Sequence, residues 1–170
     1  KTTEEIANSL IGDSKGKNKF EWNHSIPLTK TLQLSEKELL IPPYTLGCWL
    51  GDGGEKRAGI TCAEQEIVSN IIDDGVVVTK QKSKIEYGFV DGFITKIKQL
   101  KLYGNKHIPL EYLRASEKQR IELLKGLMDT DGYIDKTGIC EYTSVNKRLA
   151  HDVYELICSL GLKATIYVGD

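Results

Sequence analysis

Two aspartates, each followed by glycine, end two similar segments of the sequence, residues 45–53 and 124–132. Asp52 and Asp131 are each expected to close a helix, at the end where the helix dipole disfavours a carboxylate. If the two helices pack together, the carboxylates become neighbours of like charge, which opposes folding. A bound divalent cation removes that conflict, and oxygen ligands in an incomplete protein cage point to Mg²⁺.

Small residues spaced four apart indicate how two such helices meet. Gly47 and Gly51 precede the first aspartate, and Gly126 and Thr130 precede the second. This spacing lets two helix backbones approach closely. We therefore predict a helix–helix interface centred on Gly47 and Gly126. The simpler alternative for each Asp-Gly pair taken alone is a turn at the end of a helix.

Both segments belong to an internal repeat with a period of 79 residues, which is unlikely to arise by chance. Each copy continues with a short extended stretch, a helix that ends at a glycine, and a β-branched run at 76–79 or 165–168. The matching pairs are Gly47 and Gly126, Asp52 and Asp131, Gly53 and Gly132, Gly59 and Gly138, and Ile60 and Ile139.

The repeat predicts an α+β fold of two pseudo-symmetric halves, each running helix, two strands, helix, two strands, helix (αββαββα). We place an N-terminal arm or linker at residues 1–43, the first half at 44–115 and the second half at 116–170. The second half stops at Asp170, after the strand that should begin its last hairpin, so it is expected to be incomplete. Ser116 and Gln119 predict a capping box at the helix that carries the second aspartate.

Composition limits the class of protein. With 170 residues, 40% hydrophobic and 28% charged, the chain is typical of one globular domain with its own core. No apolar run approaches the ~20 residues that a membrane span requires, and residues 1–5 lack the pattern of a signal peptide. The four cysteines are far apart, so we expect reduced thiols in a cytoplasmic protein rather than zinc or disulfides.

At this point the sequence resembles a known family. Residues 124–132 are very similar to the LAGLIDADG motif of homing endonucleases, and residues 44–53 resemble its first copy in intein-encoded members. Residues 106–109 resemble the block between the two copies. Residues 23–27 and 40–44 resemble the stretch that joins the splicing domain of an intein to its endonuclease.

The resemblance implies a saddle of β-strands lying on duplex DNA, with the two motif helices at its centre. It implies that Asp52 and Asp131 bind metal and activate water, with the carbonyls of Gly51 and Thr130 as further metal ligands and Lys106 assisting catalysis. The expected metal is Mg²⁺, with Mn²⁺ as a substitute and Ca²⁺ supporting binding without cleavage. The expected partner is a long asymmetric DNA site, which one monomer can bind.

The sequence departs from this family in two ways. It begins with Lys1 and ends with Asp170, so it has neither the nucleophile nor the terminal His-Asn of a splicing element, which we expect elsewhere in the full-length protein. The strand expected to carry a second catalytic lysine is also missing. A DNA-binding descendant without catalytic activity, acting as a regulator or scaffold, is therefore the first alternative. An aspartyl phosphatase using Asp129 and Asp131, which requires a strand before them, is the second.

Charge is concentrated between residues 79 and 106, where seven lysines stand against two acids in a chain of net charge −1. Lys80, Lys82 and Lys84 alternate, so on a strand they would share one face and contact phosphates. The alternative is a solvated edge strand protected by lysines. Further DNA-contacting candidates on the other strands are Arg57, Tyr87, Lys136, Glu141, Lys163 and Tyr167.

Overall fold

The computed structural model describes residues 1–13 and 20–169; residues 14–19, within the predicted arm, and Asp170 lie outside it. The described part is an α+β protein with antiparallel sheets, as predicted. Its elements, in chain order, are α1 (Thr3–Ala7), β1 (Ile11–Asp13), β2 (Phe20–Trp22), α2 (Pro43–Asp52), β3 (Gly59–Thr61), α3 (Gln65–Asp73), β4 (Val78–Lys80), β5 (Glu86–Phe89), α4 (Phe93–Gln99), α5 (Leu110–Leu113), α6 (Glu117–Asp131), β6 (Gly132–Ile134), β7 (Cys140–Tyr142) and α7 (Lys147–Ser159).

The two helices predicted from the aspartate motifs are both present. Helix α2 starts at Pro43, whose missing N–H costs nothing in a first helical turn. Helix α6 starts after Ser116, whose hydroxyl accepts from the amide of Gln119 while the Gln119 side chain accepts from the amide of Ser116. The predicted capping box is therefore confirmed. None of the helices in the described ranges is long and apolar enough to span a membrane.

Short antiparallel strands follow each motif helix. Strands β3, β5 and β4 form one sheet in that order, and β6 and β7 form a separate hairpin. One named strand, β3, lies between α2 and α3, supplemented by an isolated bridge between Gly53 and Ile60, whereas two strands lie between α6 and α7. The pseudo-symmetry of the two halves, and a single saddle formed by their strands, therefore remain predictions.

Two strand predictions were wrong. Lys80 alone of the three alternating lysines lies on a strand, because the chain bends between β4 and β5 and places Lys82 and Lys84 in that bend. The β-branched run at 165–168 is not a strand, since no segment in the described ranges pairs with it and a strand requires a hydrogen-bonded neighbour. Lys163 and Tyr167 are consequently in irregular chain.

One hydrophobic core joins both motif helices to the helices around them. Trp49 of α2 and Leu127 of α6 are completely buried, together with side chains of α3, α4 and α7. Helix α7 has one apolar face, on which Leu149, Val153 and Leu156 are at 2% exposure or less. The core therefore fixes α7 firmly relative to the motif helices.

The predicted arm does more than lead into the first half. Its residues 29–41 run without helix or strand along α6 and α7. The amide of Leu32 donates to the carbonyl of Ser159 at 3.0 Å, and the hydroxyl of Thr31 donates to the carbonyl of Leu160 at 2.9 Å. The guanidinium of Arg120, which is fully buried, donates to the carbonyls of Leu32 and Ser159. This part of the arm is thus integrated into the predicted second half.

Candidate functional site

Helices α2 and α6 touch through their backbones. A Cβ atom placed on Gly126 would lie 2.9 Å from the amide nitrogen of Cys48 and 3.1 Å from Cα of Gly47. A Cβ atom on Gly47 would lie 2.8 Å from the amide nitrogen of Leu127. Neither position has room for a side chain, because the atoms that would have to move belong to the opposing backbone. The structure therefore places Gly47 and Gly126 at the helix–helix contact.

The same close packing continues to the C-terminal ends of both helices. A Cβ atom on Gly51 would lie 2.7 Å from Cβ of Thr130 and 3.3 Å from Oδ2 of Asp131. The hydroxyl of Thr130 donates to the carbonyl of Gly126 at 3.0 Å, within its own helix. The carboxylate of Asp131 consequently lies against the last turn of α2, which ends at Asp52.

Both carboxylates are destabilised by this arrangement. Burial raises the pKa of Asp52 above its usual range, and the charge of Asp131 raises it further. Burial also raises the pKa of Asp131, while the ammonium of Lys106 opposes the rise in both cases. In the part of the chain that the structure describes, neither carboxylate accepts a hydrogen bond or forms an ion pair within 4.0 Å. Two partly buried acids therefore lie close together.

Lys106 reaches this pair from the segment between α4 and α5. Its Nζ donates a hydrogen bond of 2.8 Å to the carbonyl oxygen of Gly51 and lies 5.5 Å from the centre of the Trp49 ring. Burial lowers the pKa of Lys106, and the neighbouring acids Asp131 and Asp52 partly offset that effect. The ammonium is thus a positive charge at the junction of the two helix ends.

The groups predicted to hold a metal are all oxygen donors. They are the carboxylates of Asp52 and Asp131 and the carbonyls of Gly51 and Thr130, and Mg²⁺ prefers oxygen ligands. No group of three or more His, Cys, Asp or Glu side chains that could hold a metal occurs in the described ranges. The metal site therefore remains a prediction.

The other acid of the second motif, Asp129, has a structural role. The hydroxyl of Tyr44 donates to Oδ2 of Asp129 at 2.7 Å and accepts from Nδ2 of Asn70 at 3.2 Å. Asp129 thereby links α6 to α2. The phosphatase interpretation of Asp129 and Asp131 was wrong, because it required a strand where the structure has α6.

The residues predicted to contact DNA are dispersed. Tyr87 is buried at 6% exposure and accepts from Gln65 at 2.8 Å, so it faces the core and not a partner. Lys80 pairs with Tyr87 on the neighbouring strand, and its Nζ lies 5.9 Å from the centre of the Tyr87 ring. The other candidates are Arg57 in the loop before β3, Lys82 and Lys84 in the β4–β5 bend, Lys136 in the β6–β7 turn, Glu141 on β7, and Lys163 and Tyr167 after α7.

Sequence reasoning missed the polar face of the first sheet. Gly59 of β3 and Gly88 of β5 are directly paired at its centre. Beside them Nη1 of Arg57 lies 3.7 Å from Oε1 of Glu86, in a loose ion pair. Together with the side chains around them they border an open cleft of about 270 Å³. The apolar alternation of β5 could have revealed this face, because its glycine and glutamate point away from the core. The further polar residues on it are Thr61, Thr79 and Gln81.

The chain is similar to a known protein over most of its length and matches a known family in its C-terminal part. The replicative DNA helicase DnaB of Mycobacterium intracellulare is 42% identical over 164 residues, which cover 96% of this chain and 26% of that protein. The chain therefore spans about a quarter of the length of this relative. The family described as LAGLIDADG-like domain matches residues 118–170, which contain α6, its terminal aspartate, the β6–β7 hairpin and α7. The resemblance of the second motif is confirmed, and this chain carries a LAGLIDADG-like domain.

Proposed function

We propose that this chain is the DNA-cleaving domain of an intein, a site-specific endonuclease that hydrolyses phosphodiesters in both strands of duplex DNA. The observation that carries the proposal is a pair of carboxylates, Asp52 and Asp131, that have no hydrogen-bond or ion-pair partner among the described residues and lie at the ends of two helices in backbone contact. A fold gains no stability from this pair, so the arrangement indicates a function.

Asp52 and Asp131 would hold Mg²⁺, with the carbonyls of Gly51 and Thr130 as further oxygen donors. When bound, the metal would supply a water of lowered pKa and charge neutralisation at the phosphate. The protein contributes by holding both carboxylates at fixed positions, which the close packing of α2 and α6 ensures. Each carboxylate belongs to one motif copy, and we assign one to each DNA strand.

Lys106 would place a fixed positive charge next to the phosphate under attack. Such a charge stabilises the negative charge that grows on the phosphate oxygens in the transition state. The carbonyl of Gly51, to which the ammonium now donates, has a second lone pair that remains available for a cation. One lysine serves a site that contains both aspartates, and both motif copies are in one chain. The endonuclease therefore requires no dimer.

The polar face of the first sheet would lie on the DNA. Arg57 and the polar side chains beside it would meet base edges, while Lys82 and Lys84 in the β4–β5 bend would meet phosphates. Lys80 lies on the other face of the sheet with Tyr87 and would reach phosphates around the edge strand β4. The exposed residues Lys136, Glu141, Lys163 and Tyr167 would extend the contact along the second half-site. Two different half-sites give a long asymmetric target.

The intein assignment rests on the helicase relative. This chain matches about a quarter of a protein named for a different activity, which is the pattern expected of a domain embedded in a host protein. The splicing domain would then belong to the same full-length protein. The target would be helicase coding DNA that lacks the inserted sequence.

A cleavage assay with matched variants tests the proposal. The substrate is a plasmid carrying that uninterrupted coding sequence, incubated with protein in Mg²⁺ or Mn²⁺, while DNA binding is measured in Ca²⁺. Asp52→Asn and Asp131→Asn should each abolish double-strand cleavage and retain binding, because the amide keeps the shape but not the charge that holds metal. Asp129→Asn is the matched control, since its amide oxygen can still accept from Tyr44.

Two results would contradict the proposal. Full double-strand cleavage by the Asp52 or Asp131 variant would exclude the two-carboxylate mechanism. A parent protein that binds this DNA specifically but cuts it in neither metal would instead favour the catalytically silent DNA-binding descendant.

A further inference from the structure

The backbone that carries Lys106 has no regular structure of its own. Residues 105–109 lie in neither helix nor strand, between α4 and α5. No ladder of backbone hydrogen bonds fixes this segment, so its position depends on side-chain hydrogen bonds and on the packing of buried side chains such as Ile108. The groups that hold the backbone of Lys106 therefore determine where its ammonium can reach.

Helix α7 and its N-cap supply two such bonds. The Nδ2 of Asn146 donates to the carbonyl of Lys106 at 2.8 Å, and the carboxylate of Asp152 accepts from the amide of Ile108 at 2.9 Å. The two side chains thus form hydrogen bonds with the backbone on either side of His107. The lysine backbone is thus attached to a helix whose apolar face is buried in the core.

Asn146 is itself held in place by a second hydrogen bond. It is the N-cap residue of α7, and its Oδ1 accepts from the amide of Leu149 at 3.1 Å. A single amide group therefore caps the helix with its oxygen and holds the lysine backbone with its nitrogen. Neither bond can shift without the other.

We infer that Asn146 is a positioning residue for Lys106, fixing the lysine backbone on α7 so that its ammonium reaches the carbonyl of Gly51 on α2. This inference rests on the proposed function, in which Lys106 acts at the phosphate. Through this bond the LAGLIDADG-like domain at 118–170 sets the position of a charge that serves both motif helices. A displacement of about 1 Å in such a group can reduce a rate by up to roughly 100-fold.

The two bonds of Asn146 can be separated by one substitution. Asn146→Asp keeps an oxygen that caps α7, since aspartate is as good an N-cap as asparagine. It replaces the donor nitrogen by a second acceptor, which cannot bond to the carbonyl of Lys106. Val145→Asp is the control for added charge, because Val145 is fully exposed and immediately precedes Asn146.

One readout is independent of cleavage. The chain has two tryptophans, and in a Trp22→Phe background the emission of Trp49 reports on the ammonium 5.5 Å from its ring. Lys106→Met in the same background supplies the emission expected when the charge is absent. The second readout is the single-turnover cleavage rate at saturating plasmid, measured beside DNA affinity and the midpoint of thermal unfolding.

Asn146→Asp should shift Trp49 emission towards that of Lys106→Met and slow cleavage by roughly 10–100-fold. Its DNA affinity and unfolding midpoint should match those of Val145→Asp, which should keep the parent emission and rate. Parent-like emission and rate in Asn146→Asp would overturn the inference while leaving the proposed function intact. If the parent protein does not cleave, the proposed function fails, and the Trp49 emission still decides whether Asn146 positions Lys106.

Discussion

Gly126 and Gly47 lie so close that a methyl group on Gly126 would be 3.1 Å from Cα of Gly47. The two motif helices therefore contact each other by backbone and not by interleaved side chains. This contact aligns the helix ends, so the distance between Asp52 and Asp131 depends on residues more than one helical turn away from either carboxylate.

Substitution at this contact should destabilise the protein. Gly126→Ala would push α2 and α6 apart, because backbone atoms of Tyr44 and Cys48 occupy the place of the new methyl group. We expect the free energy of unfolding to fall by about 1–3 kcal/mol, the usual cost of overpacking. Chemical denaturation with urea measures it. Gly169→Ala is the control, since a Cβ atom there would meet no described residue within 4 Å, its chain neighbours apart. Equal midpoints for the two variants would contradict the packing argument.

The acidic pair should make stability depend on pH in an unusual direction. Burial raises the pKa of Asp131 in the folded protein, so the folded state binds that proton more tightly than the unfolded chain. The contribution of this group to the free energy of unfolding therefore increases as pH falls through the pKa of the folded state. At neutral pH the charged form of Asp131 destabilises the folded protein. Asp131→Asn should raise the free energy of unfolding at neutral pH by up to about 1 kcal/mol, after solvent screening.

Urea denaturation in chelator at neutral pH and at about pH 4 tests this sign, and the advantage of Asp131→Asn should shrink at the lower pH. Asp135→Asn is a control of opposite sign. Hydrogen bonds from Thr137 and Ile139 hold the pKa of Asp135 below its usual value, so its ionised form favours folding at neutral pH. A lower free energy of unfolding for Asp131→Asn than for the parent at neutral pH would contradict the argument that the charged acidic pair destabilises the fold.

Arg120 should be essential for stability. Its buried guanidinium donates to the carbonyls of Ala115 at 3.0 Å, Ser159 at 2.7 Å and Leu32. Arg120→Met would leave those acceptors without a donor, and we expect a loss of about 2–4 kcal/mol in the free energy of unfolding. Arg148→Met, at an exposed position of α7, should change it little. A similar small loss at both positions would show that water replaces the guanidinium.

The lysines around the β4–β5 bend should contribute equally to the binding of specific and unrelated DNA duplexes. Replacing Lys80, Lys82 and Lys84 by alanine should flatten the plot of log K against log salt by roughly 0.9 for each phosphate that the protein no longer neutralises. Fluorescence anisotropy with specific and unrelated duplexes measures it. Lys118→Ala is the control, because Lys118 lies at the opposite end of α6 from Asp131. An unchanged slope would place the three lysines away from the DNA.

The helices were predictable because their signals are local. The Ser116–Gln119 capping box and the apolar face of α7 each lie within one helix, and both are present in the structure. Strands β3, β4 and β7 lie in stretches that were expected to be extended, but alternation alone cannot say where a hairpin bends or whether a partner strand exists. For that reason the predictions that Lys82, Lys84 and the run at 165–168 lie on strands were wrong.

The candidate site was predictable in its carboxylates and not in its supports. The repeat pointed to Asp52 and Asp131, and the family resemblance pointed to Lys106. Nothing in the sequence links Asn146 to Lys106, because that bond joins a helix cap to an irregular segment 40 residues earlier. Arg120 was equally hidden, since an arginine on a helix is ordinarily solvated and its acceptors here are backbone carbonyls.

The attachment of the arm to α7 constrains the order in which the chain can fold. The hydroxyl of Thr31 bonds to a carbonyl 129 residues later, so this contact closes a long loop. During synthesis residues 29–41 leave the ribosome well before α7 does, and their hydrogen-bonding groups have no partner until α7 follows. Contacts so remote in sequence form late, because closing the loop costs conformational entropy. Residues 29–41 should therefore become ordered only after α7 has formed.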